Sequence, residues 1–412
     1  MNCDNHPAEA KVEVMASQEK MQSAATTVAP NSRLASLDVL RGLDMFWIVG
    51  GGTVAKSAAE ASGCSWLQWV PVQMSHVPWD GFHFYDLIFP LFLFMIGVAI
   101  PYALGKRLSR GDSLAGIYKH LIIRVVIMIV LGMMVNGSLL TFNPAKFELT
   151  YSVLQMLALG YFVAAVLFLN LNLRNQIIAT VVMLVGFWAL LAFVPGPGHE
   201  IGKFREGCNV GDWVTEWLFG KWRGHQIGWV VGILGHASTA MLGVFAGHLL
   251  RSGLGVQQKL ARLAWLGAGC LAAGFLWSGW ITEWFPDVRL FGCDWSQWPI
   301  WFPIIKVRWT SSYALYAGGI SYLLLAACYL IVDVWGFRRW TAPFMFIGAN
   351  SIFAYMAWML CSSAFRRVSE IFLGGLKPYV GPWHDTILAA GALAVLWTLL
   401  GYMYRKGTFV RI

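Results

Sequence analysis

His76 opens a run, HVPWDGFHFYDLIFPLFLFMIG, in which a titratable turn feeds directly into an apolar stretch ending at Gly97. An imidazole and carboxylates so close together suit acid-base chemistry, because histidine is the side chain whose ordinary titration falls near neutrality. Pro78 presets its φ and Gly81 accepts conformations other residues resist, so Trp79 and Asp80 sit in a tight turn that fixes where His76 points. Asp86 stands at the head of the apolar run, where a carboxylate can accept from the free N–H groups of a helix start. Pro90 has no N–H to give to the carbonyl of residue 86, so the first turn bends and one backbone acceptor is left available. The stretch reads as an active site with His76 as general base and Asp80 or Asp86 orienting its ring and stabilising the imidazolium. A plainer reading is equally open on these residues alone: Asp86 a cap, His76 a solvated loop residue, Pro90 a packing kink.

The elements that must carry this turn are membrane helices. Of 412 residues, 58% are hydrophobic and only 12% charged, where soluble domains carry roughly 25% charged residues. Mean hydropathy is +0.59. Apolar runs of spanning length, about 20 residues each, recur at 37–55, 85–105, 120–141, 151–170, 176–194, 227–250, 262–282, 310–333, 343–363 and 385–404. The expected fold is therefore an all-α, polytopic transmembrane helix bundle of about ten spans. Residues 1–32 are polar and lack an apolar run of signal length, and read as a disordered cytoplasmic tail ahead of a single transmembrane domain, 33–412. Short connections carrying Lys106, Arg107, Arg110, Arg251, Lys259, Arg338, Arg339, Arg405 and Lys406 are basic, which places both termini in the cytoplasm and His76 outside. The net charge of +9 comes from such clusters and not from a basic domain, so no nucleic-acid partner is expected and the lipid bilayer is the implied surroundings. No HExxH, CxxC, P-loop or strand-bounded GxGxxG occurs, so no metal or nucleotide-binding domain is expected.

Charges at the mouth of the first span stand out. Asp38, Arg41 and Asp44 follow one another at i, i+3 and share a helix face, with Arg33 just before them. Interfacial anchoring explains Arg33; Asp44 lies deeper, where an ionisable group suggests a functional interior. Two long outer loops, about 195–226 and 283–309, hold Trp213, Trp217, Trp222, Trp284, Trp295, Trp298 and Trp301, better read as an interfacial belt than as sugar platforms. Cys64, Cys208 and Cys293 face an oxidising side, where Cys208 with Cys293 is the most plausible pair and free thiols the alternative.

Five stretches in order, RLASLDVLRG, the His76 run, YSVLQMLALGYFVAA, PIIKVRWTSSYALYAGGISYLLLAACYLIVDVWG and IGANSIFAYM, resemble the heparan-alpha-glucosaminide N-acetyltransferase family over about residues 33–405. Lysosomal members of that family carry a further lumenal N-terminal domain and one more span, so the likeness is to the ten-span core, as in a bacterial-type member of an inner membrane. The resemblance implies transfer of acetyl from cytoplasmic acetyl-CoA, the donor substrate, to the amine of a glucosamine-type sugar or glycan acceptor on the other side. It implies that His76 with Trp79 and Gly81 forms the family's histidine turn, and that Asp86, Phe89 and Pro90 open its DxxFPxFxFxxG run. Arg33, Ser36, Asp38, Arg41 and Gly42 match the RxxSxDxxRG opening, Lys306 the lysine before the WSxSY-like segment, and Asn350 with Ser351 the NS pair. Asp80 stands where lysosomal members often have Asn, and the segment before His76 is longer, so the two departures fall where the resemblance implies that the acceptor binds.

An acyl-CoA donor needs positive charge for its phosphates; Arg41, His120 and Arg124 are the candidates, with His120 and Arg124 at i, i+4 near the inner end of the third span. Snorkelling to headgroups is the alternative for the latter two. Lys306 could bind an acidic acceptor or aid the oxyanion, Trp79 could contact the acceptor, and Asn350 could bond the pantetheine amides or clamp helices. Rival readings are an O-acetyltransferase of a cell-envelope polysaccharide and a small-molecule transporter using Asp38, Arg41 and Asp44 as a coupling path. Oligomeric state stays open, with a homodimer as one outcome.

Overall fold

The computed structural model describes residues 34–143, 152–198, 201–202, 204, 208–219, 229–280 and 301–410. Arg33, the 1–32 tail, Cys293 and Trp222, Trp284, Trp295 and Trp298 lie outside them. Among the described residues the structure is helical, and its two strand-like contacts are isolated bridges, Asp80 with Ile305 and Pro195 with Asn209. In chain order the helices are α1 (Ala35–Phe46), α2 (Gly52–Ser62), α3 (Trp69–Gln73), α4 (Phe84–Ser109), α5 (Leu114–Asn136), α6 (Val153–Asn170), α7 (Leu173–Phe193) and α8 (Val210–Phe219). They continue as α9 (Trp229–Arg251), α10 (Val256–Ser278), α11 (Ser311–Cys328), α12 (Ala342–Ala349), α13 (Ser351–Leu373), α14 (Lys377–Val380) and α15 (His384–Arg405).

The chain is a multi-pass membrane protein. Eight stretches among the described residues are long and apolar enough to cross a bilayer, and one of them, Ser351–Arg405, contains both α13 and α15. The expected span 37–55 is broken: α1 ends in a π turn at Trp47–Gly51, where Gly50 has φ 122°, before α2 continues. The expected span 343–363 is likewise two helices, parted at Asn350 with φ −125° and ψ 38°. α5 begins at Leu114, capped by the Ser113 hydroxyl, which accepts from Gly116 N–H at 3.2 Å. It therefore starts six residues before the expected boundary at 120, and Arg124 lies well inside the span rather than at its end.

α4 is the central helix, mostly buried along its length and packed closely on α9. Side chains cannot separate these two helices where they cross. A Cβ at Gly97 would stand 2.0 Å from Ala240 O, and one at Gly243 2.0 Å from Phe94 O, so each helix needs glycine for the other to approach. α11 packs on α10 on one side of this pair, and α6 covers α9 and α4 on another. By contrast Ile122, Ile123 and Val126 of α5 and Ile178, Val181 and Val182 of α7 are exposed, as faces turned to hydrocarbon require. Trp213 and Trp217 on α8 are exposed and stack on each other at 6.3 Å.

Candidate active site

Pro90 and Asp86 work as their types dictate. The carbonyl of Asp86, which Pro90 cannot serve, accepts instead from the Tyr313 hydroxyl of α11 at 2.7 Å, both residues being fully buried. At the third position of α4 the Asp86 carboxylate caps the helix through Oδ2, accepting from His83 N–H at 3.1 Å and Val77 N–H at 3.3 Å. Its Oδ1 is left for charge. His76 Nδ1 lies 2.8 Å from it and Lys306 Nζ 3.1 Å.

Lys306 completes a three-membered cluster with a residue 230 positions away, its Nζ standing 2.7 Å from His76 Nδ1 and 3.3 Å from Nε2. Nδ1 can serve one of its two neighbours at a time, which gives two proton placements. In one, Nδ1–H donates to Asp86 and the Nε2 lone pair is left to take a substrate proton. In the other, the Lys306 ammonium donates to Nδ1 and Nε2 carries the hydrogen. Exposure separates the roles: the side chains are 53% exposed for His76, 18% for Lys306 and 0% for Asp86. His76 is thus the member that can meet a substrate, and Asp86 is a fixed anion behind it. Burial pushes the Lys306 ammonium below the ordinary lysine range, an effect that the Asp86 carboxylate beside it opposes.

The turn and the Lys306 loop are held face to face. Gly81 has φ 134°, and a Cβ there would stand 2.9 Å from a Val77 methyl, so the turn after Asp80 requires glycine. Gly81 N–H donates to Ile304 O at 3.0 Å, next to the Asp80–Ile305 bridge. Trp309 N–H then closes a turn on Lys306 O at 3.0 Å, with Trp309 itself at φ 55°. The indole holds that conformation: Nε1–H donates to Thr239 Oγ1 at 2.9 Å, and the ring stacks on His236 at 4.2 Å.

One cavity runs inward from this cluster, and a second adjoins it. The first, about 390 Å³, is lined by His76, Lys306, Tyr85, Tyr355 and, for the most part, apolar side chains such as Met45, Ile88 and Met156. The second, about 260 Å³, is lined by Arg41, Arg124, Tyr161 and Val410 among others. Phe92, Leu154, Leu157, Ser351 and Ile352 line both and form the wall between them. Along α4 the lining passes from Tyr85 in the first to Ala103 in the second, about 27 Å at the helical rise, close to the roughly 30 Å of a bilayer's hydrocarbon.

In the second cavity Arg124 Nε is buried with no hydrogen-bond partner, its guanidinium lies over the Tyr161 ring at 4.8 Å, and Nη1 reaches Tyr161 OH at 3.5 Å. Arg41 contacts Asp38 at 3.6 Å. An intramembrane arginine with an unsatisfied donor suits an anion. His120, by contrast, is exposed and lines neither cavity, and Asp80 is likewise exposed and outside both linings. Trp79 is outside the cavity lining and packs on Arg308. Asn350 is a clamp, donating to Thr408 O at 3.2 Å and accepting from Val410 N–H at 2.9 Å; Ser351, next in sequence, is the cavity residue. Asp44 is buried with neither carboxylate oxygen hydrogen-bonded. Gln155 caps α6, accepting from Ser152 N–H at 2.5 Å. Among the described residues no three His, Cys, Asp or Glu side chains gather as a metal centre.

Sequence reasoning missed Tyr313, Arg308 and Asp212. The orphan carbonyl that Pro90 creates was a signal that some donor must reach residue 86, though not which one.

A family model described as a domain of unknown function (DUF5009) matches residues 33–209, which include the His76 turn and α4. The human heparan-alpha-glucosaminide N-acetyltransferase is 26% identical over 92% of this chain and 60% of its own length, and the mouse protein of the same name 25% identical over 92% and 61%. The chain is related to these transferases at the family level, and it spans about 60% of the length of the curated relatives it matches.

Proposed function

We propose that the protein is a membrane acetyltransferase that takes acetyl from acetyl-CoA entering at the Arg41 and Arg124 end and delivers it to the amine of a glucosamine-type sugar at the His76 end. The observation that carries the reading is the pair of stacked cavities sharing one wall, a histidine-carboxylate-lysine cluster at one end and two arginines at the other. The bundle then crosses the membrane about ten times, with both termini on the donor side, in an inner membrane of bacterial type.

Arg124 and Arg41 bind the phosphates of the donor, and the pantetheine arm passes Ser351 to bring the thioester beneath His76. The exposed His76 ring, oriented by Asp86, takes the proton from the acceptor amine as its nitrogen attacks the thioester carbon. The C–N bond forms, the C–S bond breaks, and the thiolate leaves on CoA. Lys306, within reach of the same ring, stabilises the negative charge that develops on the carbonyl oxygen. Direct transfer is the simpler route and needs no acetylated histidine.

The test is transfer of labelled acetyl from acetyl-CoA to glucosamine and to hydroxyl-bearing glycans by the purified protein in lipid. Wild type acetylates the amine, and His76→Ala loses about 10²- to 10⁴-fold while still binding CoA. No CoA binding by either protein overturns the reading and moves a transporter to first place; labelling of the glycan hydroxyls alone replaces the acceptor.

A further inference from the structure

We propose that Arg308 is a positioning residue that, held by Asp212 of α8, keeps Lys306 against His76; this rests on the acyltransferase reading of that cluster. Lys306 has a long, flexible stem and an 18% exposed side chain, so left alone its ammonium would drift toward water. Its loop gives it no such freedom. Two residues on, Arg308 is 3% exposed and forms a parallel fork on Asp212, Nη1 to Oδ1 at 3.0 Å and Nη2 to Oδ2 at 2.9 Å. Its Nε–H donates to Phe204 O at 3.0 Å, and its guanidinium lies over the Trp79 ring at 5.2 Å.

Trp79 belongs to the turn that carries His76. Arg308 therefore joins three pieces of chain: the loop bearing Lys306, the turn bearing His76, and the segment leading through α8. The backbone contacts at Gly81–Ile304 and Asp80–Ile305 set the two segments side by side, and the arginine fixes how the loop is turned upon them. A buried ion pair is a poor way to gain stability but a good way to fix register. Only arginine can do both jobs here, because the fork needs two coplanar donors while the indole needs a flat cation.

The experiment compares wild type, Arg308→Lys, the double variant Arg308→Met with Asp212→Leu, and Lys306→Met, each full-length in lipid nanodiscs. The double variant buries no orphan charge, and its thermal midpoint, read beside its kcat, separates position from folding. Both Arg308 variants should lower kcat by about 10- to 100-fold, the cost of misplacing a catalytic group by about 1 Å, with KM for acetyl-CoA unchanged. Independently of any turnover, carbethoxylation of His76 by diethyl pyrocarbonate, read by mass spectrometry, should run several-fold faster in both variants and in Lys306→Met, because the lysine side chain that stands 3.3 Å from Nε2 no longer shields it. Equal labelling rates in wild type and the Arg308 variants overturn the proposal, as does wild-type kcat in the double variant. Absence of transfer by wild type with any acyl-CoA sinks the acyltransferase reading instead, and the labelling rates still decide the role of Arg308.

Discussion

Removing the Tyr313 hydroxyl should cost the full penalty of an unsatisfied buried acceptor, and the reason lies in Pro90. Tyr313 OH donates to Asp86 O at 2.7 Å, and Tyr313 and Asp86 are both 0% exposed. In Tyr313→Phe that carbonyl loses its donor, no water reaches it, and the helix cannot repair the loss because residue 90 has no N–H. A buried acceptor left unsatisfied costs about 1–3 kcal/mol. In a Pro90→Ala background the backbone N–H restored at position 90 lies at i+4 and can serve the carbonyl itself, so the same Tyr313→Phe change should fall to a few tenths of a kcal/mol, as for a hydroxyl that is no longer needed. The assay is a double-mutant cycle from reversible unfolding in mixed micelles, followed by the fluorescence of the 22 tryptophans. A coupling of about 1 kcal/mol or more between positions 90 and 313 is expected. Equal cost of Tyr313→Phe in both backgrounds would refute the reasoning.

Other perturbations follow from the same geometry. Arg124→Met should weaken CoA binding about tenfold or more by removing a charged phosphate contact, whereas His120→Ala, at an exposed site outside both cavities, should leave it unchanged; isothermal titration with CoA separates the two. Because burial lowers the folded-state titration of Lys306 below its ordinary 10.5, the unfolded chain binds more protons in that window and stability from this group rises with pH there. Activity should run the opposite way, with kcat falling on an alkaline limb that Lys306→Arg moves to higher pH, as a pH-rate series would record. Asn350→Ala should release Thr408–Val410 and speed amide exchange across them, with a smaller loss of activity than His76→Ala.

What the sequence made legible was local. Asp86 as a helix-start carboxylate, the orphan carbonyl left by Pro90, and the need for Gly81 in the turn each depend on neighbours a few residues away, and each has its counterpart in the structure. Pairing over long separations was not legible from patterning: Lys306 came to attention through resemblance, and nothing near Arg308 or Asp212 announced that they would meet. The boundary of α5 was misjudged because the hydropathy of 120–141 is stronger than that of 114–119, although Ser113 carried a cap signal that outweighs it. The helix start at Leu114 moves Arg124 from a headgroup position to one within the span, which strengthens rather than weakens its case as an anion ligand. The breaks at Gly50 and Asn350 were hidden inside continuous apolar runs, where hydropathy reports burial and says little about φ and ψ.

The most direct test seals acetyl-CoA inside proteoliposomes with the protein in one known orientation and supplies a glucosaminide only outside. With the Arg41 and Arg124 end inward, acetylated sugar should accumulate outside, with free CoA retained within, and His76→Ala should abolish both. Product that forms only when donor and acceptor share one side of the membrane would contradict a path through the two cavities.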